Sequence, residues 1–370
     1  MMSTLQWAQT NKFCIRQHFR VKKVGAVQLV KQIEVEDVLD QPEYQLIDVR
    51  TASEFSQGKI PDSINIPLFD EEERARIGAV YKKNAKAARF LAMDILSPNI
   101  SRFVRKVHGA SCGKVPVAVC WRGGMRSKAA VQLMGMAGID GLQLRGGYKR
   151  FRQYVYQQLQ SFQLEARVIV LKGKSGTGKT DILRLLAQKG FPVLDLEGLA
   201  CHRGSTFGTL ENSPATQKDF DALLLRRLNS LSGCQWILVE GESKRIGNIY
   251  LPDFLFQAMR NAPVVVVEGS LPVRVQRILR DYTPTSLQAR LTMYRALYRL
   301  RHRLSRTSLI ELKQCLDRED YRRFAELILL RHYDNTYDYQ IPGKEVLATV
   351  NSDDIEKAAA EIIAVLNNVK

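Results

Sequence analysis

The stretch Gly173-Lys-Ser-Gly-Thr-Gly-Lys-Thr180 constrains this chain most, because it fills the pattern G-x-x-x-x-G-K-[S/T] between an apolar run and a helical period. Arg167-Val-Ile-Val-Leu-Lys172 reads as the strand before it, and Asp181-Ile-Leu-Arg-Leu-Leu-Ala-Gln-Lys189 as the helix after it. A strand, a glycine loop and a helix in that order imply an α/β domain with a parallel sheet. Backbone N–H groups from Gly176 to Lys179 are placed to cradle a diphosphate. Lys179 would reach its terminal phosphate, and Thr180 could ligate Mg2+. Gly173, Ser175, Gly176, Thr177, Gly178, Lys179 and Thr180 are thus candidate phosphate-binding residues.

Further strands are read at Pro192–Leu196, Gln235–Val239, Pro263–Val267 and Val346–Val350. Glu240, closing the second of these, stands where such enzymes place a metal-organising carboxylate, usually an Asp. Two polar loops add candidates for a second site: His202, Arg203 and Ser205 in Cys201–Gly208, and Lys244 and Arg245 after Glu240. No protein-ligated metal centre is read from the sequence.

A second strand-to-helix turn lies upstream, at Cys120-Trp-Arg-Gly-Gly-Met-Arg-Ser127. Val115-Pro-Val-Ala-Val119 is the strand before it, and Ser127–Met134 the helix after it. Free N–H groups and the helix N-terminus there favour an anion, and so a nucleophilic thiolate at Cys120. Gly123 and Gly124 allow the loop to close tightly, while Arg122 and Arg126 can hold an anionic donor. A buried structural cysteine is the commoner fate of a lone Cys, but two glycines and two arginines within six residues argue against it.

Length and charge bound the rest. At 370 residues the chain is long enough for two domains, and no apolar run is long enough to span a membrane. The six cysteines, at 14, 112, 120, 201, 234 and 315, show no metal or disulfide spacing, which points to a reducing, cytoplasmic compartment. Formal charge is +17, and Leu271–Tyr333 alone carries 14 Arg and Lys against 6 Asp and Glu. A polyanionic partner follows, with Arg274, Arg277, Arg280, Arg295, Arg299 and Arg303 as candidate contacts to RNA.

The pattern Asp48-Val-Arg50, Glu54-Phe55, Gly58, Ile60-Pro61 and Asn65-Ile66-Pro67, followed by a cysteine loop after a later strand, resembles the rhodanese family. The expected organisation is a basic N-terminal extension over 1–34, then a rhodanese-like parallel-sheet domain over 35–150 with a helical insertion at about 70–113. A helical linker over 151–165 would lead to a P-loop NTPase-like α/β domain over 166–370, with an arginine-rich helical part at about 272–339.

The cysteine loop, Gly146-Gly-Tyr-Lys149, the P-loop, His202-Arg-Gly-Ser205, Glu240–Gly247 and His332-Tyr-Asp334 together resemble the tRNA 2-selenouridine synthase family over about residues 35–368. That resemblance implies a transferase replacing sulfur by selenium in the 2-thiolated wobble uridine of tRNA. Selenophosphate would be the donor, and geranyl diphosphate would first alkylate the sulfur. Cys120 would then take up the selenium, Arg122 and Arg126 would hold selenophosphate, and the P-loop would hold the prenyl diphosphate. An enzyme that supplies selenophosphate is an expected partner. The loop from Cys120 to Arg126 encloses five residues, one more than sulfur-transferring rhodaneses usually carry, which suits a phosphate-sized anion. Two other readings stay open. One is a C-x5-R phosphatase or sulfurtransferase fused to an ATP-dependent small-molecule kinase, and the other is a non-enzymatic RNA-binding protein.

Overall fold

Two five-stranded parallel sheets organise the chain, and in each the middle strand leads into one of the two motif loops. A computed structural model describes residues 30–201, 215–337 and 343–368. In chain order the first sheet is formed by β1 (Gln32–Ile33), β2 (Tyr44–Asp48), β3 (Ile64–Asn65), β4 (Val115–Val119) and β5 (Leu142–Leu144). Its spatial order is β1-β5-β4-β2-β3, with every pairing parallel. The second half adds β6 (Arg167–Lys172), β7 (Val193–Leu194), β8 (Trp236–Glu240), β9 (Arg245–Ile246), β10 (Ile249–Tyr250), β11 (Val264–Glu268) and β12 (Val346–Asn351). The order β12-β11-β6-β8-β7 makes a parallel sheet, while β9 and β10 form a separate antiparallel hairpin.

The central strands read as continuous apolar runs because helices cover both of their faces. In β4, Ala118 faces a core with Ile47, Phe103, Val107 and Met134, while Val117 and Val119 face one with Leu144, Tyr148 and Phe151. In β6, Ile169 and Leu171 pack with Ile182, Leu186 and Ile362, while Val168 and Val170 face the opposite side. That opposite side is the same core that receives Val117 and Val119, so one cluster runs through both domains.

The helix Gly147–Gln160 accounts for this continuity. Tyr148, Phe151, Val155 and Leu159 lie on one face of it and are buried with Phe220 and Leu225 from the helix Gln217–Ser230. Each such side chain contributes about 1.5–3 kcal/mol when fully buried. Phe151, Val155 and Leu159, expected as part of a linker, are therefore core, because the apolar stripe starting at Tyr148 has a sheet on one side and a second domain on the other. Polar contacts fix the junction: Lys59 N–H donates to Asp219 Oδ1 at 2.9 Å, and Arg152 donates to Lys218 O and Asp221 Oδ2 at 2.8 and 2.9 Å. Arg226 also pairs with Asp62.

The expected extension 1–34 also needs a correction at its end. Gln32 and Ile33 form the edge strand beside Gln143 and Leu144, and residues 1–29 lie outside the described set. The segment 70–113 carries the helices Glu71–Lys83, Ala85–Leu96 and Ile100–Ser111. The arginine-rich part forms the helices Leu271–Tyr282, Leu287–Arg299, Arg306–Asp317 and Tyr321–Ile328, followed by a π-helical turn at Leu329–Tyr333. Among the described residues no helix is long and apolar enough to cross a membrane.

Candidate active sites

Cys120 follows β4 directly and is buried, 3% exposed, at the floor of its loop. Its Sγ accepts from Gly124 N–H at 3.2 Å and lies 3.1 Å from Ser127 Oγ. Gln143 Nε2 donates to Ser127 Oγ at 2.9 Å and to the carbonyls of Gly123 and Gly124 at 2.9 and 3.1 Å. A strand residue thus holds both the loop and the hydroxyl against the sulfur. The turn after β5 closes the arrangement, with Tyr148 N–H donating to Cys120 O and Lys149 N–H to Trp121 O, each at 2.9 Å. Gly147 has a φ of +59°, and a Cβ there would stand 2.2 Å from Cys120 O, so only glycine fits.

Arg126 opens the helix beyond the cysteine and makes a forked contact with Glu54, 2.6 Å to Oε2 and 3.2 Å to Oε1. Burial pushes the Glu54 carboxyl up, but hydrogen bonds and charge from Arg126 outweigh it and hold it down at about 2. Arg74, in the first helix of the 70–113 segment, reaches the same carboxylate at 3.3 Å. Glu54 also caps its own helix, accepting from Thr51 N–H. Arg122 is exposed and makes no ion pair among the described residues, so it stands free at the rim. Sequence reading did not single out Glu54, Ser127 or Gln143 as site residues. The spacing Thr51-x-x-Glu54 was the available signal for Glu54, and nothing local marks Gln143.

In the second domain the loop after β6 runs into the helix Lys179–Gln188, with Gly178 at its N-cap. Lys179 Nζ donates to Gly173 O at 2.7 Å and to Lys174 O at 3.3 Å, folding back across its own loop. Thr177 is buried, and Ser175 O accepts from Arg274. Thr180 Oγ1 lies 3.5 Å from Glu197 Oε2.

Glu197, Glu240 and Glu242 bring ligand oxygens within 4.8 Å of one another. Burial and then the Glu242 charge push the Glu197 carboxyl up to about 8, while burial and then the Glu197 charge push Glu240 well above the usual range. Burial raises Glu242 as well. Three carboxylates this close, with Glu240 buried and the other two half-buried, cannot all ionise without a counter-charge. Their all-oxygen donor set, with the Thr180 hydroxyl beside it, fits a hard divalent cation such as Mg2+. The sequence offers Thr180 and Glu240 for such an ion, and the fold sets Glu197 and Glu242 beside them. Glu240 closes β8 with Glu242 just after it, and the fold brings Glu197, from the helix Leu196–Ala200, up to them.

The remaining candidates scatter. His202, Arg203 and Ser205 lie outside the described residues. Lys244 and Arg245 belong to the β9–β10 hairpin. Lys244 pairs with Asp253 at 2.6 Å, and Arg245 donates to Gly247 O and lies over the Tyr250 ring. Arg274 and Arg277 are buried, which corrects their reading as RNA contacts. Arg274 forks onto Asp334 at 2.5 and 3.0 Å and donates to Ser175 O at 2.9 Å. Arg277 donates to Ser352 O, and Ser352 Oγ in turn donates to Thr177 O at 2.6 Å. Both arginines brace the P-loop from behind. Arg280 is tied to Asp181 and Asp281. Arg295, Arg299 and Arg303 remain exposed.

Comparison with known proteins agrees with the two-domain architecture. Residues 31–154 match the rhodanese-like domain, and residues 166–366 match the tRNA 2-selenouridine synthase AAA domain. A tRNA 2-selenouridine synthase from Sulfurovum sp. is 32% identical over 343 residues, 84% of this chain and 93% of the relative. One from Pseudomonas syringae pv. tomato is 33% identical over 80% of this chain and 88% of its own. One from Bdellovibrio bacteriovorus reaches 38% identity, and the match spans 66% of each chain, about two thirds of that relative's length. With a family domain matched over more than half of its length, and relatives similar across most of it, the chain belongs to the tRNA 2-selenouridine synthase family.

Proposed function

We propose that this chain is a tRNA-modifying transferase of the cytoplasm. It replaces sulfur by selenium at the 2-position of wobble 2-thiouridine, using geranyl diphosphate and selenophosphate in turn. The observation that carries this reading is the pairing, in one chain, of a buried thiol in a C-x5-R loop, held by the Gly124 amide, with a G-x-x-x-x-G-K-T loop flanked by three carboxylates. In the first step the P-loop amides, Lys179 and Thr180 hold geranyl diphosphate. The thiocarbonyl sulfur of the tRNA attacks the C1 carbon of the prenyl chain, a C–S bond forms, and the C–O bond breaks to release diphosphate. A divalent cation at Thr180, Glu197, Glu240 and Glu242 would neutralise that leaving group.

The second step is limited by electron balance. Attack of the Cys120 thiolate on selenium, as the resemblance alone suggests, would expel phosphorus two electrons below phosphate. Attack on phosphorus is redox-neutral: an S–P bond forms, the P–Se bond breaks, and selenide leaves. Gly124 N–H, which donates to the Cys120 sulfur, supports its thiolate, and Arg126, forked onto Glu54, would share its donors with the phosphoryl oxygens. Selenide then adds at C2 of the S-geranyl nucleoside and geranyl thiolate leaves, while water hydrolyses the phosphocysteine to phosphate. Incubation with 2-thiouridine tRNA, geranyl diphosphate and selenophosphate, followed by nucleoside mass analysis, tests the function. S-geranyl and then 2-selenouridine should appear, and their absence with wild-type protein rejects it. Acid-quenched protein should carry phosphate on Cys120, and selenium found there instead would overturn the phosphoryl route.

A further inference from the structure

Resting on the tRNA reading above, we infer that the outward face of the helix Leu287–Arg299 and the turn after it form a stacking platform for unpaired bases of the RNA, with Tyr298 as the stacking ring and Arg295, Arg299 and Arg303 as phosphate contacts.

Two observations set this face apart from the rest of the arginine-rich part. The first is pairing. Arg274, Arg280, Arg290, Lys313, Arg323 and Arg331 each lie against a carboxylate. Arg295, Arg299 and Arg303 are exposed and form no ion pair among the described residues. From Tyr282 to Ile310 the sequence holds six arginines and no Asp or Glu, and among the described residues only Arg290, reaching over to Glu319, pairs with a carboxylate. Positive charge left uncompensated at this density suits a polyanion.

The second observation is what lies between the charges. Ala289, Met293, Ala296 and Leu297 are buried, so the opposite stripe faces out. That stripe carries Leu287, 74% exposed, Leu291, Arg295 and Tyr298, 63% exposed, at helical spacing. Arg301 lies over the Tyr298 ring at 4.0 Å and donates to Tyr298 O, which holds the ring in place and leaves its other face outward. An aromatic ring flanked by unpaired arginines stacks on any base that is itself unstacked, while a duplex offers only backbone. The face is also mechanically continuous with the P-loop. Arg303 lies close enough to His332 to lower its pKa alongside burial, and Asp334, two residues on, holds Arg274, which bonds Ser175 O. An RNA loop gripped here would be anchored on the same rigid unit as the diphosphate.

The test uses the full-length protein and two fluorescent RNAs, an anticodon stem-loop and a duplex of equal length, titrated across salt concentrations. Tyr298→Ala should weaken stem-loop binding about tenfold or more without changing the salt slope, Tyr298→Phe should bind as wild type, and duplex binding should be unaffected by either. Arg295→Gln, Arg299→Gln and Arg303→Gln combined should lower the salt slope by about two to three. Tyr298→Ala binding the stem-loop as tightly as wild type, or losing both RNAs equally, overturns the platform. So does tighter binding of anionic lipid vesicles than of either RNA. Product formation by wild-type protein, read separately, shows whether the transferase reading itself holds.

Discussion

The two loops share a geometry but differ in how their charge is balanced. Each follows the central strand of a parallel sheet and runs straight into a helix N-terminus, the kind of turn that favours an anion. At the cysteine loop the cation already has a partner, since Glu54 holds Arg126 and is shared with Arg74. At the P-loop the excess is negative, with Glu197, Glu240 and Glu242 gathered together and Lys179 turned back onto its own carbonyls. In the function proposed above, the first site would exchange one anion for another, and the second would gather a cation and a diphosphate together.

Single substitutions should separate the two sites cleanly, and this is the largest effect expected. Cys120→Ser should lower selenium transfer about 1,000-fold or more while S-geranyl nucleoside accumulates. Lys179→Ala should abolish geranylation yet leave selenation of chemically geranylated tRNA intact. Nucleoside analysis of both variants would break the comparison if either one lost both steps.

Next in size is the brace behind the P-loop. Arg274→Ala leaves Asp334 without its fork and Ser175 O without a donor, and should cost about 3 kcal/mol in denaturant unfolding. A loss below about 1 kcal/mol would show that the contact is not structural. This pairing also marks where sequence reading stops. The loops themselves, their strands and their helices are legible because each is a contiguous run with its own period and glycines. Arg274 and Arg277 looked like surface cations because a helical arginine reveals its partner only through the fold, and here the partners lie 60 and 75 residues away. Glu240 was legible from its place at a strand end, whereas Glu197 joins it and Glu242 only through the fold, and Glu54 was partly legible through its capping box with Thr51.

The carboxylate set gives a smaller effect with a distinctive pH dependence. Glu197 moves from 4.5 to about 8, so between those values the folded protein binds more protons than the unfolded one and stability falls as pH rises. Mg2+ should therefore stabilise the protein by about 1–3 kcal/mol at saturating concentration, more at pH 8.5 than at pH 6. Glu240→Gln should raise the metal-free melting temperature at pH 8 and erase most of the Mg2+ response. Equal Mg2+ shifts in both proteins would mean that the ion binds elsewhere.

Glu54→Gln should give the smallest effect, and its pH dependence runs the other way. The folded carboxyl sits near 2 against an ordinary 4.5, so the stability it contributes is complete above about pH 4.5 and is lost as pH falls toward 2. Solvent reaches one side of the pair, which reduces the contribution to about 1 kcal/mol at neutral pH. The melting-temperature difference between wild type and Glu54→Gln should thus be flat from pH 8 to 5 and close to zero near pH 2. A difference that persisted at pH 2.5 would assign the effect to the lost helix cap rather than to Arg126, and the cysteine loop would then lack the resident counter-anion that distinguishes it from the P-loop.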